Sequence, residues 1–207
     1  MEKTKYGRVS IIGRPNVGKS SLLNRLVGEK ISIVTPKPQT TRNRIIGVLT
    51  EGPAQIVFVD TPGLHKSESR LGDMMVRTVY QAVDDTDACI LVAIADKLPG
   101  IPEKMLIERL KASEIPCILA LNKVDAVRKD VILGTIAEYA KLFNFEAIIP
   151  ISALTGEGCD DLIAEIIKLL PDGEHVFPDD ALTDSPERFI AAEFVREKLM
   201  LMLEKEI

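Results

Sequence analysis

The segment Gly13-Arg14-Pro15-Asn16-Val17-Gly18-Lys19-Ser20 constrains this chain more than any other stretch. It follows a short apolar run, Arg8-Val9-Ser10-Ile11-Ile12, and leads into a helical pattern that takes in Ser21. This is the G-x-x-x-x-G-K-[ST] pattern in the strand-loop-helix setting that a phosphate-binding loop needs. Glycines let the backbone wrap tightly, so that successive N–H groups point inward at phosphate oxygens. The N-terminus of the following helix adds its partial positive charge. Lys19 is expected to reach the β- and γ-phosphates, and the Ser20 hydroxyl to ligate magnesium. The pattern predicts that the chain binds a nucleoside triphosphate.

The base is chosen far downstream. After the apolar run Ile115-Pro116-Cys117-Ile118-Leu119-Ala120-Leu121 comes Asn122-Lys123-Val124-Asp125. A carboxylate only accepts hydrogen bonds, so Asp125 suits the N1–H and exocyclic amine of guanine. Adenine has an acceptor at the first position and no amine at the second, which would leave Asp125 unpaired at a high cost. Lys123 can lay its methylene stem along the base, and Asn122 can bridge back to the phosphate loop.

Three more segments fall into place around these. The run Gln55-Ile56-Val57-Phe58-Val59 ends in Asp60-Thr61-Pro62-Gly63, where Asp60 can help hold magnesium and the Gly63 N–H can meet the γ-phosphate. Pro38-Gln39-Thr40-Thr41-Arg42 carries two threonines, of which Thr41 is expected to complete the magnesium shell. Ser152-Ala153-Leu154 follows the run Ala147–Ile151, where backbone amides can contact the guanine carbonyl oxygen.

Strands are expected near residues 7–12, 44–50, 55–60, 87–95, 115–121 and 146–151, and helices near 19–27, 70–84, 101–112, 128–142 and 159–169. The stretch Ala88-Cys89-Ile90-Leu91-Val92-Ala93-Ile94 is apolar without alternation, as a strand covered on both faces should be. Alternation of strands and helices predicts a doubly wound, mostly parallel α/β sheet with ligands at the C-terminal strand ends. Every motif named above falls at such an end.

The 207 residues suffice for one full core and a short appendage. No apolar run approaches membrane-spanning length, and the charged start with an early strand is not a signal peptide. Cys89 and Cys117 lie in apolar runs and are expected to be buried, whereas Cys159 after Gly156-Glu157-Gly158 is expected to be an exposed thiol. Three unpaired cysteines suit a reducing compartment. Two histidines, His65 and His175, are too few for a metal site of their own. A net charge of −5 gives no general attraction to nucleic acid.

These segments in this order resemble the translation-factor-related GTPases, and their wording is similar to the Era family: GRPNVGKS at Gly13–Ser20, QTTRN at Gln39–Asn43, DTPG at Asp60–Gly63, NKVD at Asn122–Asp125 and SAL at Ser152–Leu154. The resemblance implies a P-loop NTPase, Ras-like fold with six strands and a C-terminal helix. It assigns Gly13 to Ser21, Asp60 to Leu64, Asn122 to Asp125 and Ser152 to Leu154 to GTP and GDP, and Ser20, Thr41 and Asp60 to magnesium. Lys19, Thr41, Gly63 and Asn16 carry the chemistry. It implies a cytoplasmic protein, at times at the inner face of the cell membrane, acting as a monomer on the small ribosomal subunit and its 16S RNA during assembly.

By the same resemblance residues 1–170 form the GTP-binding unit, 171–185 a linker, and 186–207 the first helix of an incomplete KH-type RNA-binding domain. The stretch Leu182–Glu193 carries that likeness. RNA binding by this chain alone is then expected to be weak. Ser185 is expected to cap the helix, with Pro186 at its first position. Phe189, Ala192, Val195, Leu199 and Met202 form an apolar stripe that is expected to leave the helix poorly anchored.

Many GTPases orient the attacking water with a glutamine after this glycine, but Leu64 stands here, so slow intrinsic hydrolysis is expected. In relatives with an apolar residue there, the asparagine matching Asn16 holds a potassium ion. Other readings are a nucleotide-sensing module with negligible hydrolysis, an ATP-using phosphoryl-transfer enzyme, or a related GTPase with another RNA or membrane partner.

Overall fold

The computed structural model describes residues 3–37, 40, 41, 44–64 and 70–203, with residues 70–73 as backbone alone. Strand β1 (Lys5–Ile12) runs through the middle of a six-stranded sheet, parallel to β3 (Ala54–Asp60) on one side and β4 (Ala88–Ile94) on the other. Beyond β4, the strands β5 (Cys117–Asn122) and β6 (Ala147–Ile151) continue the parallel set. At the opposite edge β2 (Ile45–Glu51) pairs antiparallel with β3 through a two-residue hairpin loop. The order is β2-β3-β1-β4-β5-β6. Connections from β1 and β3 therefore diverge around the C-terminal end of β1, which opens a crevice there.

Helices cover both faces. Leu22, Leu23 and Leu26 of α1 (Lys19–Val27), with Leu162 and Ile166 of α5 (Cys159–Leu169), pack on Val9, Ile11, Phe58, Ile90 and Val92. On the other face α2 (Arg70–Asp84), α3 (Ile101–Ser113) and α4 (Lys129–Ala140) bring Val79, Val83, Leu106, Leu110 and Tyr139 onto Ile12, Cys89, Leu91 and Leu119. Successive residues of β4 thus serve opposite layers, which is why its sequence shows no polar alternation. Element limits agree with the sequence expectation to about two residues. A single 3-10 turn, Val124–Ala126, was not anticipated.

After α5 the chain does not swing free. The Pro171 carbonyl accepts from Tyr6 N–H, and Gly173 N–H donates to Thr4. Buried Gln55 of β3 accepts the Val176 and Phe177 N–H groups at 2.9 Å each and donates to the Phe177 carbonyl at 2.9 Å. Further on, the Leu182 carbonyl accepts from Val48 N–H, and the Thr183 hydroxyl donates to the Ile46 carbonyl at 2.6 Å. These bonds occupy outward-facing backbone groups of β2, an edge strand that would otherwise offer them to another chain.

The last helix, α6 (Glu187–Met202), departs from expectation in two ways. Pro186 takes the cap position, and the Ser185 hydroxyl points to Asp184 at 3.4 Å instead of capping. The helix is also anchored, and by a different face. Phe189, Glu193, Glu197 and Met200 turn inward, while Ala192, Val195, Leu199 and Met202 of the apolar stripe face outward. Among the described residues no helix is long and apolar enough to cross a membrane. Replacing Gln55 with leucine removes the acceptor for two linker N–H groups, so Gln55→Leu is expected to lower stability by about 2 kcal/mol, read from the urea midpoint.

Candidate nucleotide-binding site

Gly13 to Gly18 link the end of β1 to α1, and Pro15, Asn16 and Gly18 line one side of a pocket of about 400 Å³. Gly18 stands at the helix cap with φ +100, and a Cβ there would lie 2.3 Å from Asn122 Nδ2, so only glycine fits. No side chain caps α1, which leaves its first N–H groups available to an anion. Lys19 is buried, and its Nζ donates to the Gly13 and Arg14 carbonyls at 3.2 and 3.1 Å. Burial lowers its pKa to about 8 while Asp60 opposes the shift. Behind the loop, Arg14 pairs with buried Glu103 of α3 at 3.2 Å, and Glu103 also accepts the Gly100 N–H. That bracing ties the loop to the start of α3.

Oxygen donors gather beside Lys19. The Ser20 hydroxyl donates to Asp60 Oδ2 at 2.6 Å and lies 3.0 Å from Thr41 Oγ1. The Ser32 hydroxyl donates to the same Asp60 oxygen at 3.1 Å. Asp60 is fully buried, and its Oδ1 has no hydrogen-bond partner. Burial raises its pKa, while Lys19, the two serine hydroxyls and the Thr61 N–H pull it down. A buried carboxylate oxygen without a partner, beside two hydroxyls, is a donor set suited to a hard cation such as magnesium. Ser20, Thr41 and Asp60 would hold it. Thr40 turns away: its hydroxyl donates to the Lys37 carbonyl and meets Thr35 at 2.7 Å.

At the other end of the pocket, Asn122 Nδ2 donates to the Val17 carbonyl at 2.8 Å, tying the end of β5 to the phosphate loop. Its Oδ1 accepts the N–H groups of Lys123 and Ala153. Lys123 lines the pocket and its Nζ donates to the Asn16 carbonyl at 3.1 Å. Asp125 is exposed and accepts the Ser152 hydroxyl at 2.6 Å, which brings the loop after β6 against the segment after β5. Ala153 is buried and Leu154 exposed.

Other predicted positions are placed as follows. Gly63 lines the pocket, and a Cβ there would sit 2.6 Å from Pro15, so the two loops touch through a glycine. The Thr61 hydroxyl donates to the Ile11 carbonyl within the core. Val17 and Leu64 put their side chains into the two cores instead of the pocket, Leu64 beside Val79 and Val83, and the Leu64 N–H donates to Gly13. Arg44 pairs with Asp85 at 3.8 Å. Cys159 is buried rather than exposed, because the first turn of α5 faces the core, and burial raises its thiol pKa. Gln39, Arg42, Asn43 and His65 lie outside the described residues. Among the described residues no group of three or more His, Cys, Asp or Glu stands ready to hold a metal.

Sequence reasoning missed residues that act from a distance. Arg25 of α1 donates to the carbonyls of Ala153, at 3.3 Å, and Leu154. Asn24 Oδ1 accepts the N–H groups of Ile31 and Ser32, which sets Ser32 against Asp60. Neither carries a motif; only their place two turns into α1 after the phosphate loop hints at a role.

The family described as 50S ribosome-binding GTPase matches residues 8–123. GTPase Era of Ruminiclostridium cellulolyticum is 46% identical across 98% of this chain, which spans 68% of that relative. GTPase Era of Geobacter metallireducens is 50% identical over the same shares. The chain belongs to the Era family of GTPases. Among solved structures, Era in complex with MgGDPNP and nucleotides 1506–1542 of 16S ribosomal RNA superposes with a TM-score of 0.93 at 40% identity, covering 99% of this chain and 70% of that one. An Aquifex aeolicus Era variant bound to GDP and AlF4− superposes with a TM-score of 0.92. This Era-family chain therefore spans about two thirds of its relatives' length.

The Arg25 guanidinium holds the loop after β6 by two of its carbonyls. Arg25→Met is expected to speed release of a fluorescent GDP roughly tenfold in stopped flow, the loss of a charged hydrogen-bond pair at a partly exposed site.

Proposed function

We propose that this chain is a magnesium-dependent, GTP-hydrolysing switch that works on the small ribosomal subunit through its 16S RNA. The observation that carries the reading is the juxtaposition of Ser20, Asp60 and Thr41 beside Lys19, with Lys123 lining the same pocket and Asp125, two residues further along, paired with Ser152. Such a site meets an anionic tail and a guanine edge at once. Bound there, magnesium supplies charge neutralisation across the phosphates. Lys19 and the N–H groups opening α1 bear on the transferred phosphoryl group, and Asn122 keeps the base segment in register with the phosphate loop.

Switching follows from what Thr41 and Gly63 can reach. With the γ-phosphate present, both loops have a partner in the site; once it leaves, both lose it. Leu64 lies in the core, so no side chain at that position orients water, and the intrinsic rate is slow. Asn16, whose Nδ2 donates to the Pro36 carbonyl at 3.0 Å, stands where the phosphate loop meets the segment before Thr40. Potassium held there would add positive charge beside the phosphates. The small subunit is favoured over the large because the relative matched along nearly the whole chain carries a 16S fragment, whereas the broader family named for the 50S particle matches only residues 8–123.

Labelled GTP with magnesium is expected to bind saturably, to resist competition by ATP, and to yield to xanthine nucleotides in Asp125→Asn. Failure of GTP to saturate the protein overturns the reading. Hydrolysis measured in single turnover is expected to run faster in potassium than in sodium, to rise further with small subunits, and to lose its potassium dependence in Asn16→Ala. Equal rates under all these conditions favour the alternative, a nucleotide sensor that scarcely hydrolyses.

A further inference from the structure

α6 packs on the GTP-binding unit with a face that sets two carboxylates between Phe189 and Met200. Glu193 and Glu197 are buried there, while Val195, Leu199 and Met202 of the same helix are exposed. A helix seated only for stability would turn the other way. What the buried carboxylates meet explains the choice. Glu197 Oε2 accepts from Lys30 Nζ at 2.6 Å, and its Oε1 accepts the Val34 N–H at 2.9 Å. Burial works against its charge, yet Lys30 and the Val34 N–H prevail and hold the carboxyl below its usual range. Glu193 grips Arg196 through Nε at 3.0 Å and Nη2 at 2.6 Å. The same Nη2 donates to the Thr40 carbonyl at 2.6 Å. Lys37 Nζ donates to the Leu203 carbonyl at the end of the helix.

Three of these contacts, to Val34, Lys37 and Thr40, fall on the segment that leads to Thr41. Val34, Thr35, Pro36, Thr40 and Thr41 line the nucleotide pocket, and Thr41 stands 3.0 Å from Ser20. Glu197 fixes the start of that stretch and Arg196 its end, one residue before Thr41. Ordering a loop on binding costs conformational entropy for each residue fixed, and a loop already held loses less.

We infer that Arg196 and Glu197 of α6 are positioning residues for Thr41: they hold the Thr40 carbonyl and the Val34 N–H so that the Thr41 hydroxyl stands beside Ser20 and Asp60, and thereby favour magnesium-triphosphate over diphosphate binding. This rests on the proposed role of Thr41 and deepens it, placing part of the switch on a helix outside the sheet-and-helix unit. Coupling of this kind is reciprocal, so a triphosphate in the pocket must in turn steady α6. Whatever chain follows α6 would feel the nucleotide through two side chains.

The test uses the whole chain and compares Arg196→Met, Glu197→Gln, Thr41→Val and the double variant Thr41→Val/Glu197→Gln. Each α6 variant is expected to bind a non-hydrolysable GTP analogue with magnesium about tenfold more weakly, with GDP affinity unchanged within about twofold. Thr41→Val is expected to show the same pattern, and adding Glu197→Gln to it to cost nothing more, since both act through one contact. Arg196→Lys, which keeps a donor for the Thr40 carbonyl, is expected to retain most of the affinity. In the unaltered chain the analogue, but not GDP, should slow amide exchange over residues 193–200. Equal weakening of GDP and analogue, no weakening of either, or additive losses in the double variant overturns the inference. Should Thr41→Val alone leave analogue binding intact, the role of Thr41 falls, and this inference with it; saturable GTP binding would still stand.

Discussion

The burial of Asp60 beside Lys19 is the constraint on which the rest of this structure depends. Two opposite charges at the C-terminal edge of the sheet are shielded from water, and each shifts the other's titration against the effect of burial. Charges in such a place are tolerated only when hydrogen bonds and partners surround them. Ser20 and Ser32 serve Asp60, and the Gly13 and Arg14 carbonyls serve Lys19. Those partners come from the phosphate loop, α1 and the segment after α1, so the neutralisation of one carboxylate draws together the parts that a phosphate and its cation need. One Asp60 oxygen remains unpartnered, which gives the arrangement a chemical direction.

Around that centre the molecule is braced at several removes. Glu103 steadies Arg14 from α3, Asn122 reaches Val17 from β5, and Arg25 spans from α1 to the loop after β6. Each brace ends on a backbone carbonyl or a charged partner, which confines direction as well as distance. The segment after α1 is held by Asn24 and Asn16 and also from further off, by α6 through Glu197 and Arg196. A loop held from a separate helix can respond to that helix, whereas the phosphate loop is braced by Glu103 of α3 and Asn122 of β5.

Legibility followed the range of the interactions involved. Glycine spacing, the lysine and serine after it, and the asparagine-to-aspartate segment were readable because their chemistry is local and nearly each residue type is obligatory. Two-faced burial in β4 was readable from its unbroken apolar run. Cys159 and Ser185 were misjudged because a glycine-rich approach and a Ser-Pro pair look alike in sequence whether the helix faces inward or outward. The apolar stripe of α6 misled for a related reason: hydrophobicity alone names the face that wants cover, but Lys30, Arg196 and the Val34 N–H made the carboxylate face the better fit to this surface.

By itself the sequence determined a doubly wound sheet with a nucleotide site at its C-terminal edge, since hydrophobic period and short phosphate-binding patterns act over a few residues. Tertiary structure alone decided that Cys159 is buried, and that the linker and α6 clasp the sheet edge and the segment before Thr41. Those outcomes join residues far apart in the chain; Lys30 and Glu197 are separated by 167 positions. No local pattern encodes such pairs, because which of many polar groups meet is settled only when burial leaves each of them a single partner.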